Sequence, residues 1–468
     1  MYSIIGPEEL IEAVRDWVRK RRWYPRGAGD FKVLRFWSVS REVCAYLLKA
    51  GDVLIHVPLA FTPEKPALPP KDYMKYRGFY VYEAELNPDY CRALLSGSIN
   101  YIDAEFFPLI SGAQLLEVRS LASGTTNRLV RITADKGVFV LKSYRTLSPG
   151  NYEPLFYKRL GGHLSPRLHA TFKVAGLYSS ILVDYVNVIE DAGAELYRSA
   201  LKTLDTGVPH VPMGYASRIA DFIVSFHREM VSCLEDWCRP ETITNRDVDA
   251  WRRKVVSYFN ELKSRAEGCP GETGKTLRSL LSIVEERVRE AIKVLEEYEG
   301  LIKIRTHGDL HVGQIAVTGD GSFIILDLEG EPARPDRGVK EPALRDLACA
   351  LRSLTYISVE ALRSHKGFTV VEATNIILSG SPEAELIVKW SKAVGEALLR
   401  EYLRGTTTFS KSIHGVAASI LPHWVGRALL PWLTERALYE AVYEYSYRRS
   451  RVLIPLIGLA RHMGEFDR

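Results

Sequence analysis

The sequence predicts an α+β protein of two lobes, β-rich then helical, with a small module at its N-terminal end. Three observations predict it. Between about residues 115 and 186, apolar residues come in short alternating runs, the period of half-buried strands. Beyond about residue 190 they recur at three- and four-residue intervals, the period of amphipathic helices. Before about residue 110 a helical stretch is followed by strand-like runs and a proline-rich loop, an order repeated nowhere else in the chain. The expected division is 1–110, an N-terminal cap subdomain; 111–188, a β-rich intermediate subdomain; and 189–468, a helical lobe. The full 468 residues exceed what one ordinary core holds.

The elements follow in order. Leu10, Ile11, Val14, Trp17 and Val18 have helical spacing. A basic and aromatic patch comes next, with Lys20, Arg21, Arg22, Trp23, Tyr24 and Arg26. Residues 31–38, 43–49 and 53–59 read as strands, and Pro63, Pro66, Pro69 and Pro70 mark a loop. Residues 115–121 read as a strand, 128–132 and 137–143 as a hairpin, and 181–185 as a buried strand. Ile219, Phe222, Ile223, Phe226 and Met230 predict a helix over 214–232; Leu280, Ile283, Val284, Val288, Ile292 and Leu295 predict another over 276–298. Two strands interrupt, 302–306 and 323–327, and helices resume from about 342.

Composition narrows the function classes. Hydrophobic residues at 46% and charged residues at 25% are ordinary for a globular chain and exclude disordered and fibrous classes. A net charge of +5 is too mild to argue for nucleic acid, and a solvated helix end accounts for the patch at 19–26. The six cysteines are sparse and irregularly spaced, which predicts reduced thiols and a cytoplasmic protein. Glu8 and Glu9 stand where a signal peptide needs a basic then apolar run, and no apolar run approaches the ~20 residues of a membrane span. No membrane partner is expected.

One stretch carries chemistry. Arg305-Thr306-His307-Gly308-Asp309-Leu310-His311-Val312-Gly313-Gln314 is followed by Phe323-Ile324-Ile325-Leu326-Asp327-Leu328-Glu329-Gly330-Glu331-Pro332. Phosphoryl transfer from ATP needs a carboxylate to orient the acceptor hydroxyl and take its proton, and hard oxygen ligands to hold Mg2+ against the phosphates. Asp309, after a His-Gly turn, fits the first role. Gln314 and Asp327, at the two ends of a strand–loop–strand unit, fit the second. As turn and cap residues the three would have no reason to share this spacing. His307 reads as a structural group orienting the loop.

Lys142 ends the apolar run 138–141 and is placed to meet the ATP phosphates as a point charge. Ser123, Gly124 and Thr125 form a small polar turn whose backbone amides suit phosphate oxygens. Glu153, before Pro154 in a first helical turn, is the candidate partner of Lys142. The stretch 268–276 imitates a phosphate-binding loop. It has five residues, not four, between Gly268 and the Gly274-Lys275 pair, and no apolar strand precedes it, so it reads as a loop that starts a helix at Thr276.

These residues resemble the maltokinase family, within the aminoglycoside-phosphotransferase and protein-kinase-like superfamily. The resemblance is carried by His307-Gly308-Asp309-Leu310-His311 with Gln314, by Asp327 with Glu329-Gly330-Glu331-Pro332 and Arg334-Pro335, and by Leu344-Arg345-Asp346-Leu347-Ala348. Asp16-Trp17 with Arg22-Trp23-Tyr24 near the N-terminus, and Ala441-Val442-Tyr443-Glu444 with Ile454-Pro455-Leu456 near the C-terminus, extend it. Leu328 stands where the family has phenylalanine.

The resemblance implies a bilobal protein-kinase-like fold with an N-terminal cap and a mainly helical C-terminal lobe. It implies ATP-dependent, Mg2+-assisted conversion of maltose to maltose 1-phosphate, in trehalose or α-glucan metabolism. It also implies Asp309 as the catalytic group and His227, Asp346, Tyr443 and Glu444 as candidate substrate residues. A kinase for glucosamine or another amino sugar would share every catalytic residue, and a nucleotide-binding pseudokinase is the alternative outside enzymes.

Overall fold

The computed structural model describes residues 7–25, 27–107, 110, 112–122, 127–331 and 338–464. The chain divides into two compact units, Met1–Val186 and Asn187–Arg468.

The first unit is built on two antiparallel sheets. One contains β1 (Lys32–Ser38), β2 (Val43–Ala50), β3 (Val53–Thr62), β4 (Tyr73–Tyr76) and β5 (Phe79–Glu83) in the order β1-β2-β3-β5-β4. The other contains β6 (Ile102–Phe106), β7 (Leu115–Ala122), β8 (Arg128–Ala134) and β9 (Gly137–Ser143). A short strand, β10 (Thr146–Leu147), leaves this run to pair with β3; β11 (Leu168–Val174) and β12 (Leu177–Asp184) complete the second sheet, ordered β6-β11-β12-β9-β8-β7.

Strand β2 is apolar on both faces, and packing explains why. Val43 and Leu47 enter a core shared with Val130, Ile132, Leu141 and Phe172 of the second sheet and with Tyr90 and Leu94 of α3 (Pro88–Leu95). The alternate residues Cys44, Tyr46 and Leu48 pack with Leu10 and Ile11 of α1 (Pro7–Ala13), Val18 of α2 (Arg15–Arg19) and Val14 between the two helices. A strand buried on both faces loses its polar alternation. Lys142 lies on β9, opposite Leu129 of β8 and Ile181 of β12. The helix α4 (Glu153–Leu160) follows with Pro154 in its first turn, as the fixed φ of proline favours.

The second unit is mainly helical. A three-stranded sheet, β13 (Val188–Asp191), β16 (Ile315–Thr318) and β17 (Phe323–Ile325), carries the motif residues, and a two-stranded one joins β14 (Glu241–Thr242) to β15 (Ile302–Lys303). Around them lie α5 (Ala192–Thr206), α6 (Met213–Val231), α7 (Asn245–Glu267), α8 (Gly271–Leu295), α9 (Leu344–Lys366), α10 (Val370–Ser379), α11 (Pro382–Thr406), α12 (Ser410–His414), α13 (Leu421–Ala428), α14 (Leu430–Tyr447) and α15 (Leu453–Ala460). Helix α14 packs on α7, α8, α9 and α15, and α9 on α5, α10 and α11. Both are therefore buried over most of their length.

Three expectations are corrected. The stretch at 268–276 is helical from Gly271, five residues before the expected start, because Pro270 ends the preceding turn and the helix grows from it. The strand expected over 302–306 pairs only at Ile302–Lys303, with a lone bridge from Ile304 to Glu341; the chain then leaves the ladder so that the 307–311 segment can take loop geometry. Cys233 and Cys238 are bonded to each other, Cα to Cα 5.7 Å, while Cys44, Cys91, Cys269 and Cys349 are free and buried. The helix end at α6 turns back within five residues and brings the two thiols together. Among the described residues, no helix is long and apolar enough to cross a membrane.

Candidate active site

The His-Gly-Asp segment is held by the helix that follows the second motif. Asp346, in the first turn of α9, accepts the backbone N–H of His307 at 2.8 Å on one oxygen and that of Gly308 at 2.9 Å on the other. His227 Nε2 stands 3.3 Å from the first of these oxygens, and its Nδ1 meets the Tyr402 hydroxyl at 3.0 Å. Burial opposes charge on Asp346, but His227, His307 and the loop amides outweigh it and hold the carboxyl below its usual range. Asp346 and His227 are both fully buried, and every polar atom of their side chains is committed within the protein. Expected as substrate residues, they instead hold the loop from behind in this structure, and neither lines the cavity described below.

Two glycines permit the turn. Gly308 has φ +85° and Gly330 φ +72°, in the left-handed region. A Cβ on Gly330 would stand 3.3 Å from the His307 carbonyl, so the backbones of the two motif stretches pack closely here.

Asp309 is presented by this loop and is 13% exposed at its side chain. Arg436 of α14 donates to its Oδ1 at 2.8 Å. The same guanidinium pairs with Glu331, and Arg345 donates to Glu331 at 2.6 Å and to the Gly308 carbonyl at 2.7 Å. Burial works against the charge on Arg436, yet acidic neighbours including Glu331 and Asp309 hold it protonated well above the ordinary range. Sequence reasoning missed Arg436. The signal was available: Leu433, Arg436, Ala437, Glu440, Ala441 and Glu444 share one stripe at helical spacing, and charges on an apolar stripe are not there to meet solvent.

Asp309 and Gln314 line a cavity of about 730 Å³ in the second unit, together with Tyr443 and Glu444. Its other walls come from the start of α5, from α9 through Ser353 and Tyr356, and from α14 through Arg436, Tyr439 and Glu440. His311 also lines it, and burial lowers its pKa despite the Asp309 charge, so the ring is neutral near pH 7. Burial pushes the Glu444 carboxyl upward, against the pull of Arg448 and Arg451.

Asp327 lies outside this lining, just past β17. Ile315 pairs with Ile325, so Gln314 and Asp327 leave the same end of the hairpin, each partly exposed. An amide oxygen and a carboxylate so placed suit a hard cation such as Mg2+.

In the first unit, Lys142 Nζ donates to Glu153 at 2.8 Å, and Tyr144 donates to the other Glu153 oxygen at 2.7 Å. Glu153 is fully buried and Lys142 nearly so, so each fixes the other. The turn at Ser123, Gly124 and Thr125 lies outside the described residues.

No known protein-family profile matches the chain. A glucosamine kinase of Mycolicibacterium smegmatis (strain ATCC 700084 / mc(2)155) is 28% identical over 137 residues, 29% of this chain and 32% of that protein. A glucosamine kinase of Streptacidiphilus jiangxiensis is 31% identical over 116 residues, 24% of this chain and 25% of that protein. The chain thus matches a third or less of the length of these relatives. Similarity in structure extends further. A glucosamine kinase solved in complex with glucosamine, ADP and inorganic phosphate superposes with a TM-score of 0.61 at 16% identity, covering 95% of this chain and 98% of that one. Another crystal form gives 0.62 at 17% identity, covering 92% and 91%. The chain has their fold. It is the bilobal kinase-like fold: a sheet-rich unit followed by a helical one.

Proposed function

We propose that the chain is an ATP-dependent phosphotransferase whose acceptor is a sugar hydroxyl. The observation that carries this is Asp309: a partly exposed carboxylate at a cavity, one oxygen fixed by Arg436 and the loop behind it clamped by Asp346. A carboxylate so held is oriented for an incoming hydroxyl.

Asp309 aligns the acceptor hydroxyl and takes its proton late, because a loose transition state demands little base strength. Gln314 and Asp327 are the groups to hold Mg2+, which when bound neutralises charge on the ATP phosphates. Lys142, fixed by Glu153, is assigned to those phosphates, as are the backbone amides of Ser123, Gly124 and Thr125.

Two acceptors come first. Glucosamine is suggested by the similarity to glucosamine kinases. Maltose is suggested by the Asp-x-Glu-Gly-Glu-Pro stretch from Asp327 and by Tyr443-Glu444. Incubation with Mg2+, ATP and glucosamine, maltose, glucose or trehalose in separate reactions, followed by product analysis, tests the proposal. A phosphorylated sugar that is lost in Asp309→Asn supports it. ATP binding without product from any sugar overturns it in favour of a pseudokinase.

A further inference from the structure

The bond between Cys233 and Cys238 stands behind the segment that presents Asp309. Cys233 follows the end of α6, the helix that carries His227, and both cysteines are buried. The residues enclosed by the bond bury little of their own surface. Leu234 is 90% exposed, and Glu235 and Asp236 are exposed with it. A loop with so little apolar packing is held on its course by the covalent link.

This loop gives two backbone carbonyls to the motif stretches. Arg305, just before Thr306 and His307, donates from Nε to the Trp237 carbonyl at 3.1 Å. Lys340, ahead of α9, donates to the Asp236 carbonyl at 2.9 Å and pairs with Glu241. Both cations are buried, and a buried donor that loses an acceptor is costly. Between them, Ile304 and Glu341 exchange two backbone hydrogen bonds, each of 2.9 Å. The loop therefore grips both the chain leading into the His-Gly-Asp turn and the chain leading into α9.

The contacts close a circle. His227 on α6 meets Asp346 at 3.3 Å, and Asp346 accepts the N–H of His307 at 2.8 Å. From His307 the chain runs back to Arg305, which returns to Trp237, the neighbour of Cys238. The disulfide joins that end of the circle to α6. Without it, the end of α6 and the two carbonyls are connected only by the exposed loop.

We propose that the Cys233–Cys238 disulfide is a redox control on the catalytic segment. Bonded, it holds the Asp236 and Trp237 carbonyls on Lys340 and Arg305 and so fixes the loop of Asp309; reduced, it slackens that hold and slows transfer. The inference rests on the kinase reading of Asp309 and adds its regulation. The step is thiol–disulfide exchange with a dithiol reductant. The Sγ–Sγ bond breaks, the two cysteines take up two electrons and two protons to become thiols, and the reductant leaves as its own disulfide.

The test uses the full-length protein, alkylated in denaturant before and after incubation with dithiothreitol, with the labels counted by mass. Four labels are expected before reduction, on Cys44, Cys91, Cys269 and Cys349, and six after it. Six labels before reduction overturn the inference. The reduced form should melt roughly 4–8 °C lower, as the loss of a short covalent loop predicts. Well below both melting temperatures, its kcat for the sugar it phosphorylates should fall roughly 10-fold. KM for ATP should stay unchanged, because Lys142 and Glu153 lie in the other unit. Oxidation with glutathione disulfide should restore kcat. The double variant Cys233→Ala, Cys238→Ala should sit at the reduced level and respond to neither reagent; it also carries the comparison where the buried bond resists dithiothreitol. A reduced form or a variant that keeps its kcat overturns the control even if it melts lower, since the bond is then structural alone. Absence of product from every sugar in both forms removes the kinase reading and the inference with it.

Discussion

Replacing Asp346 by asparagine tests whether the loop that presents Asp309 is held from α9. Three groups converge on the wild-type carboxylate, the N–H of His307 at 2.8 Å, the N–H of Gly308 at 2.9 Å and His227 Nε2 at 3.3 Å. Asparagine keeps one acceptor oxygen and turns an N–H2 donor against one of two backbone N–H donors. That leaves a buried donor unsatisfied, which costs about 1–3 kcal/mol, and removes the charge from the remaining bonds. The sum is about 2–3 kcal/mol, and at roughly 2–4 °C per kcal/mol the helical unit should melt about 4–12 °C lower. The pH dependence has a definite sign. The folded carboxyl of Asp346 lies below its ordinary value of 3.8, so its contribution is full above that value and is lost as the pH falls through the folded one. The gap between wild type and variant is therefore widest near neutrality and closes in acid. Calorimetry across pH 3–8 measures both effects, and a product assay reads the loop. Misplacing Asp309 by even about 1 Å should cut kcat on the order of 100-fold. A variant that melts with the wild type at pH 7 and turns over at the same rate would refute the clamp.

Four further outcomes are expected. Asp309→Asn should lower turnover by roughly 10³-fold or more while ATP binding, measured by calorimetry, is retained. Arg436→Met strips Asp309 and Glu331 of a buried partner; it should cost about 3–5 kcal/mol of stability in denaturant unfolding and lower kcat on every sugar. Lys142→Met and Glu153→Gln should both raise KM for ATP and leave KM for the sugar near its original value, which steady-state kinetics separates. Asp327→Ala should shift the Mg2+ titration of activity to higher concentration together with a loss of kcat, and an unchanged titration would remove it as a ligand.

Much of this was legible in the sequence wherever the cause is local. The hairpin of β8 and β9 follows from alternation, and α6 from apolar spacing, and both formed within a residue or two of the expected bounds. The link from Lys142 to Glu153 was a guess across a turn, and geometry joins them at 2.8 Å. What was not legible depends on contacts between distant segments. Asp346 looked like a substrate carboxylate because a lone acidic residue after a motif carries no sign of which way it faces; its partners lie 38 and 39 residues back, in the loop. Arg436 is 127 residues from Asp309, and no local pattern pairs them. The cysteine pair failed for a different reason. A spacing of five matched no metal or redox pattern, but a helix end that folds back within those residues brings them together regardless.

The contacts around Glu331 explain why the two motif stretches occur together. Gly308 gives its carbonyl to Arg345, Arg345 donates to Glu331, Glu331 pairs with Arg436, and Arg436 returns to Asp309. The chain of contacts begins and ends on adjacent residues of one loop, and it passes through the Glu-Gly-Glu segment beyond Asp327. Two buried guanidiniums on a single carboxylate are an expensive way to stabilise a fold, because each must be desolvated and an apolar packing of similar volume is often as stable. They are an effective way to fix direction, because planar guanidiniums accept few geometries. The arrangement therefore makes sense as a device for orientation: the stretch that carries the metal candidate Asp327 and the loop that carries Asp309 are tied through Glu331. A change at Glu331 would take a partner from both guanidiniums at once, leaving Arg345 on Gly308, Glu341 and Glu435 and Arg436 on Asp309 and Glu440, whereas one at Glu440 would leave the tie through Glu331 intact. That difference assigns Glu331 to the positioning of the acceptor-side carboxylate and leaves Glu440 to the cavity wall.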